Sequence, residues 1–169
     1  AAASRYCDVT VRAFERRYDA ENMQFAALCL RAAGKDLVIF RGTDNTLAGW
    51  KEDFDLCFRL PVAAQTEALR FCRERAAESE LPLILCGHSK GGNLSVFAGA
   101  TADEATARRI RHIYAYDAPG VDEDTLGSPG YAGVSERIES YLPESSVVGM
   151  LLNYHPVYTV VEARTVGIL

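Results

Sequence analysis

No stretch of this 169-residue chain approaches the ~20 consecutive apolar residues that a membrane-spanning helix requires. The longest apolar runs are Leu81–Cys86 and Val147–Leu152, the second broken by Gly149. Positive charge is also short: 18 Lys and Arg stand against 23 Asp and Glu, a net charge of −5. That balance excludes the basic face a nucleic-acid binder needs and the polybasic patch of a membrane-surface protein. The five cysteines, Cys7, Cys29, Cys57, Cys72 and Cys86, are an odd number with no CxxC spacing. They suggest neither zinc ligation nor a disulfide framework. Several sit in apolar stretches and read as small buried residues of a reducing compartment, so a cytoplasmic location is expected. The sequence opens Ala-Ala-Ala-Ser, with no Met and no basic-then-apolar signal pattern. It reads as processed, or as a piece of a longer chain. No repeat, low-complexity segment or Pro/Ser linker divides it. Histidine is scarce, with three residues in all.

A hydrophobic fraction of 49% rules out a disordered chain. The length suits a single domain over residues 1–169, large enough for a proper core. Gln24–Ala32 and Leu37–Arg41 are β-prone, and Ala33-Gly34-Lys35-Asp36 supplies a turn between them, which predicts a hairpin. Pro61 can open a helix, carried by Leu69, Cys72 and Ala76 to about Glu78. Pro82–Cys86 reads as a short strand buried on both faces. Leu94, Phe97 and Ala98 then repeat at helical spacing, and a polar helical stretch, Ala102–Arg109, leads into a strand over Ile110–Tyr116. Residues 121–133, rich in Gly, Pro and Asp, read as an exposed loop. Ser135–Tyr141 is a short helix or strand; Val147–Leu152 and Tyr158–Glu162 are the last strand candidates. The alternation predicts an α/β fold with a mostly parallel central sheet and helices on both faces.

Between the 82–86 strand and the next helix lies Gly87-His88-Ser89-Lys90-Gly91, a G-x-S-x-G pattern. A serine on such a strand-to-helix turn sits in a strained conformation with its hydroxyl pushed off the sheet edge. Ser89 is therefore the candidate nucleophile. The backbone N–H of Lys90, at the helix start, points where an oxyanion would form. The competing reading is a Gly-rich turn with an incidental serine. A second oxyanion donor is expected from a loop after an earlier strand, and Thr43 in Phe40-Arg41-Gly42-Thr43-Asp44 occupies that place in order. Its plainer reading is a Gly-Thr-Asp turn capping the next helix.

These motifs, together with Gly49–Phe54 (holding Trp50 and Asp53), Gly87–Gly92, Tyr116–Gly120 and Pro143–Leu151, resemble the class 3 lipase branch of the α/β-hydrolases. They are more closely similar to a bacterial family of lipase-related hydrolase-like proteins without an assigned substrate. The resemblance runs from about Gln24 to Leu169. It implies an α/β-hydrolase core, a Ser89 nucleophile and an oxyanion hole from Thr43 and Lys90. Lys90 departs from the apolar residue usual after the lipase serine. Its side chain is expected to cover the helix surface, or else to stand over the site and favour a polar or acidic substrate.

The usual order in this fold is serine, acid, histidine. Asp117, closing the Ile110–Tyr116 strand, is the first candidate acid, with an Asx-turn as its alternative role. Class 3 lipases use a position near Ser145-Ser146, where this chain has no Asp; adjacent Glu144 is the second candidate. Among the histidines, His88 sits inside the elbow facing away, His112 opens a strand, and His155 precedes the final strand rather than following it. The resemblance implies that the base lies in a Gln-His-Asp stretch beyond Leu169.

The remaining charges read structurally. Arg41 and Asp53 are expected to pair and fix the loop of Thr43. Arg108, Arg109 and Arg111 follow a helix end, and Arg70, Arg73 and Arg75 form a solvated face. Trp50 is expected to anchor the core. The expectation for function is a serine hydrolase acting on carboxylic esters of small-molecule or lipid type, without metal or cofactor. The rivals are a degenerate hydrolase fold used as a binding module, and a thioesterase or acyltransferase on the same site.

Overall fold

Residues 6–19, 23–43, 61–152 and 155–162 are described by a computed structural model. Trp50, Asp53, Cys57 and residues 163–169 lie outside them, and with them the expected Arg41–Asp53 pair.

The hairpin forms where the turn chemistry places it. β2 (Met23–Ala32) runs antiparallel to β3 (Lys35–Phe40), with Ala32 opposite Lys35. Both turn residues, Ala33 (φ 48°) and Gly34 (φ 70°), take positive φ, the signature of a turn whose twist matches the strands. β1 (Thr10–Asp19) pairs antiparallel with the other edge of β2. From β3 onward the pairing is parallel: β4 (Leu83–His88), β5 (Ile110–Tyr116), β6 (Ile138–Pro143) and β7 (Tyr158–Val161). The sheet is thus seven-stranded and mostly parallel, in the order β1 to β7.

Each parallel strand is added on the same side of its predecessor. Crossovers of one hand then deliver the described connecting helices to one face, where both faces were expected to carry them, because every parallel step moves the sheet edge in the same direction. On that face α1 (Ala63–Glu78) stacks Phe71 edge-on against Phe25 and Phe40, with ring centroids 6.4–6.5 Å away. α2 (Lys90–Ala100) is buried along its whole length, as expected for a helix enclosed between a sheet and other helices. α3 (Glu104–Arg109), α4 (Glu123–Leu126) and α5 (Pro129–Val134) are short, and each is started by a side-chain cap: Asp103, Asp122 and Ser128 accept from backbone N–H groups at 2.8–3.0 Å. The opposite face carries a stacked ladder, His112, Tyr114 and Tyr116 along β5, continued by Tyr141 on β6.

Some local expectations change. Residues 121–133 are not an exposed loop: α4 and most of α5 occupy them, and Val121 and Tyr131 are buried. The first part of 135–141 is a short 3-10 turn and the rest is β6. The Val147–Leu152 stretch forms a 3-10 turn at Val148–Met150, not a strand. Arg109 is no simple surface cation, since its guanidinium donates to the carbonyls of Ala76 and Leu81. Among the described residues no helix is long and apolar enough to cross a membrane.

Candidate active site

β4 ends at His88 and α2 starts at Lys90, so one residue makes the junction. That residue, Ser89, has φ 55° and ψ −129°, a conformation L side chains rarely adopt. Its N–H donates to Tyr116 O at 2.9 Å, tying the turn to the end of β5. The glycines around it are required by close backbone approach. A Cβ on Gly87 would stand 2.2 Å from Gly91 C, and one on Gly91 would stand 2.2 Å from Phe40 O. The Ser89 side chain is partly buried, and its Oγ makes no hydrogen bond among the described residues.

The end of β3 is drawn over this turn. A Cβ on Gly42 would lie 2.8 Å from His88 O and 3.5 Å from Ser89 Cβ. Thr43, partly buried, is the next residue, so the expected second donor belongs to the segment beside Ser89. The N–H of Lys90 is at the first helical position, where no intrahelical acceptor exists. The Lys90 side chain corrects the expectation for it. It neither covers a surface nor stands over the site: it is 1% exposed and donates to the backbone O (2.9 Å) and Oε1 (2.8 Å) of Gln24 on β2.

Asp117 follows β5 as Ser89 follows β4, and the residues before them, Tyr116 and His88, are partners in the ladder. Asp117 has φ 45°. Its N–H donates to Tyr141 O at 2.8 Å, and its Oδ1 accepts from the hydroxyl of Ser146. Among the described residues no hydrogen bond from its own loop reaches the carboxylate, so no Asx-turn is closed there. Glu144 is exposed, with its backbone N–H on Val161 O at 3.1 Å and no side-chain bond among the described residues.

Among the described residues no histidine bonds Ser89. His88 points into solvent. His112 lies 3.1 Å from Glu139 Oε1 and stacks on Tyr114. His155 Nδ1 is 2.7 Å from Tyr131 Oη, in a small cavity shared with Val96 and Ala118. Burial holds the His155 pKa below its ordinary value and pushes that of Tyr131 up.

One network escaped the sequence reading. Gln65 on α1 donates to Asn93 Oδ1 at 3.0 Å, and Asn93 donates to Gly120 O in the loop of Asp117. Both amides are fully buried. The available signal was an amide side chain, Asn93, one turn after Ser89 in a helix whose other residues, Lys90 and Ser95 apart, are glycine or apolar. Among the described residues no group of three or more His, Cys, Asp or Glu is arranged to hold a metal ion.

Comparison with known proteins gives the following. The family model described as Mbeg1-like matches residues 1–169. No curated protein matches the sequence. Among solved structures, the chain is similar to a Rhizomucor miehei lipase in complex with its propeptide, with TM-score 0.57 and 18% identity over 85% of this chain and 51% of that one. It is similar to a fungal lipase–inhibitor complex (TM-score 0.58, 14% identity, 85% of this chain and 61% of that one). A triacylglycerol lipase from Penicillium expansum is also similar (TM-score 0.55, 13% identity, 92% and 70%). The chain therefore spans about half of the Rhizomucor protein's length. At such identities the likeness carries the fold: an α/β, lipase-like one.

Proposed function

Since this chain belongs to the Mbeg1-like family, a lipase-like family, we propose that it is a serine hydrolase of carboxylic esters with Ser89 as nucleophile. The observation that carries this reading is the junction itself: a single strained serine between β4 and α2, with Gly42 packed against its Cβ. A structural turn has no need of a non-glycine residue at that φ and ψ.

In the proposed reaction Ser89 Oγ attacks the ester carbonyl carbon as an imidazole takes its proton. The carbonyl oxygen becomes an oxyanion held by the backbone N–H groups of Thr43 and Lys90. Asp117 orients the imidazole and stabilises its charged form. Collapse of the tetrahedral species expels the alcohol, which receives the proton, and water then hydrolyses the acyl-serine by the same path. His88, His112 and His155 are engaged elsewhere or solvent-facing, so the imidazole is expected from a segment following Leu169. The lipase-like neighbours favour a lipid or small acyl ester as substrate. The same three histidine positions favour a second reading, a hydrolase fold used as a binding module.

The test is hydrolysis of p-nitrophenyl butyrate by the protein extended by its natural continuation, beside its Ser89→Ala variant and the 169-residue chain alone. The expected result is turnover by the extended protein only, with the variant down by about 10³-fold or more. Equal turnover by the Ser89→Ala variant overturns the nucleophile. No turnover and no labelling of Ser89 by a fluorophosphonate in the extended protein favours the binding module.

A further inference from the structure

The carboxylate of Asp117 is supplied by β5 but seated by the loop after β6. Ser146 Oγ accepts the N–H of Gly149 at 2.8 Å. A hydroxyl has one proton, and here that proton is directed at Asp117 Oδ1. The backbone of Ser146 is fixed in turn, its N–H on Pro143 O at 3.0 Å. The relay therefore has a direction, from Gly149 N–H to the Ser146 hydroxyl to the carboxylate. Space for it is limited: a Cβ at position 149 would lie 2.7 Å from Ser146 Oγ and 3.3 Å from Asp117 Oδ1. At the other end, Asp117 is held off ordinary backbone geometry at φ 45° by its own N–H on Tyr141 O. Two strands thus converge to fix one carboxylate, more restraint than a surface turn needs.

We propose that Ser146 is a positioning residue that pins Oδ1 of Asp117 and leaves Oδ2 to accept the N–H of the catalytic imidazole. This rests on the reading of Ser89 and Asp117 given above. Because Ser146 Oγ and Asp117 Oδ1 touch, a carboxylate placed on residue 146 would fall where that of Asp117 is presented.

The experiment uses the extended protein, p-nitrophenyl butyrate, and four variants: Ser146→Ala, Ser146→Thr, Asp117→Asn, and Asp117→Asn combined with Ser146→Asp. Thermal melts accompany each. Asp117→Asn is expected to lower kcat about 10³–10⁴-fold. Ser146→Ala should lower kcat about tenfold or more with KM unchanged, Ser146→Thr should restore it, and the double variant should recover at least tenfold over Asp117→Asn. Three results overturn the inference while leaving the Asp117 reading intact: wild-type kcat in Ser146→Ala, a loss that Thr fails to restore and that tracks a lowered melting temperature, or no recovery in the double variant. Wild-type kcat in Asp117→Asn overturns the Asp117 reading itself, and the inference with it.

Discussion

Lys90, the residue after the elbow serine, sends its ammonium into the core and donates twice to Gln24, a residue 66 positions earlier on β2. A buried ammonium must keep its acceptors, because stripping one leaves a desolvated charge short of a partner. The elbow is therefore anchored from beneath by the hairpin as well as by its own strand.

Gln24→Leu removes the side-chain acceptor and leaves the backbone carbonyl. The expected loss is about 1–3 kcal/mol of stability, read as a lower urea midpoint at unchanged slope. An unaltered midpoint would show that the side-chain bond contributes nothing.

Gly42→Ala places a methyl 2.8 Å from His88 O, within a distance real Cβ atoms do not show. The Thr43 segment must then lift away from Ser89. In the extended protein the expected effect is a fall of about 10²-fold in kcat/KM, comparable to losing one oxyanion donor, with little change in melting temperature. Gly91→Ala, with Phe40 O at 2.2 Å, should instead destabilise the whole fold and show as insoluble or early-melting protein.

Ser89→Gly relieves a backbone strained at φ 55°. It should raise stability by about 1 kcal/mol, or about 2–4 °C in Tm for a chain of this size, while abolishing hydrolysis. A melting temperature equal to or below that of Ser89→Ala would count against strain at the elbow.

His155 gives the fold a pH dependence of known sign. Burial lowers its folded pKa from the ordinary 6.5, so between the two values the unfolded chain binds more protons. The stability from keeping the ring neutral is complete above about 6.5 and is lost as pH falls toward the folded value. Denaturant titrations at pH 7.5 and 5.5 should show the loss, and His155→Gln should remove it. The lowered pKa values of Asp36 and Asp103 contribute stability that is lost only as pH falls below the ordinary 3.8.

Much of the site was legible because its residues are consecutive. Gly87–Gly91 between a buried run and an amphipathic one fixes the strand, turn and helix together, and Gly34 marks the hairpin. β1 was not legible: in Thr10–Asp19 nearly every residue is exposed, Phe14 and Tyr18 included, so no apolar alternation advertises the strand. α4 and α5 hide behind turn-forming residues that act here as helix caps. The fate of the Lys90 side chain depends on Gln24, and that of Asp117 on Ser146. No local pattern encodes either partner, because strand pairing brings them together.

The spatial order of the strands is their order along the chain. A polypeptide leaving the ribosome can lay each strand from β3 onward against an edge already built, with no gap held open for a later one. That order permits vectorial assembly: the hairpin can serve as template, β4 brings Ser89, the proposed nucleophile, and β5 and β6 bring Asp117 and the loop of Ser146. The pieces of the proposed site are thus completed in the order in which they are synthesised.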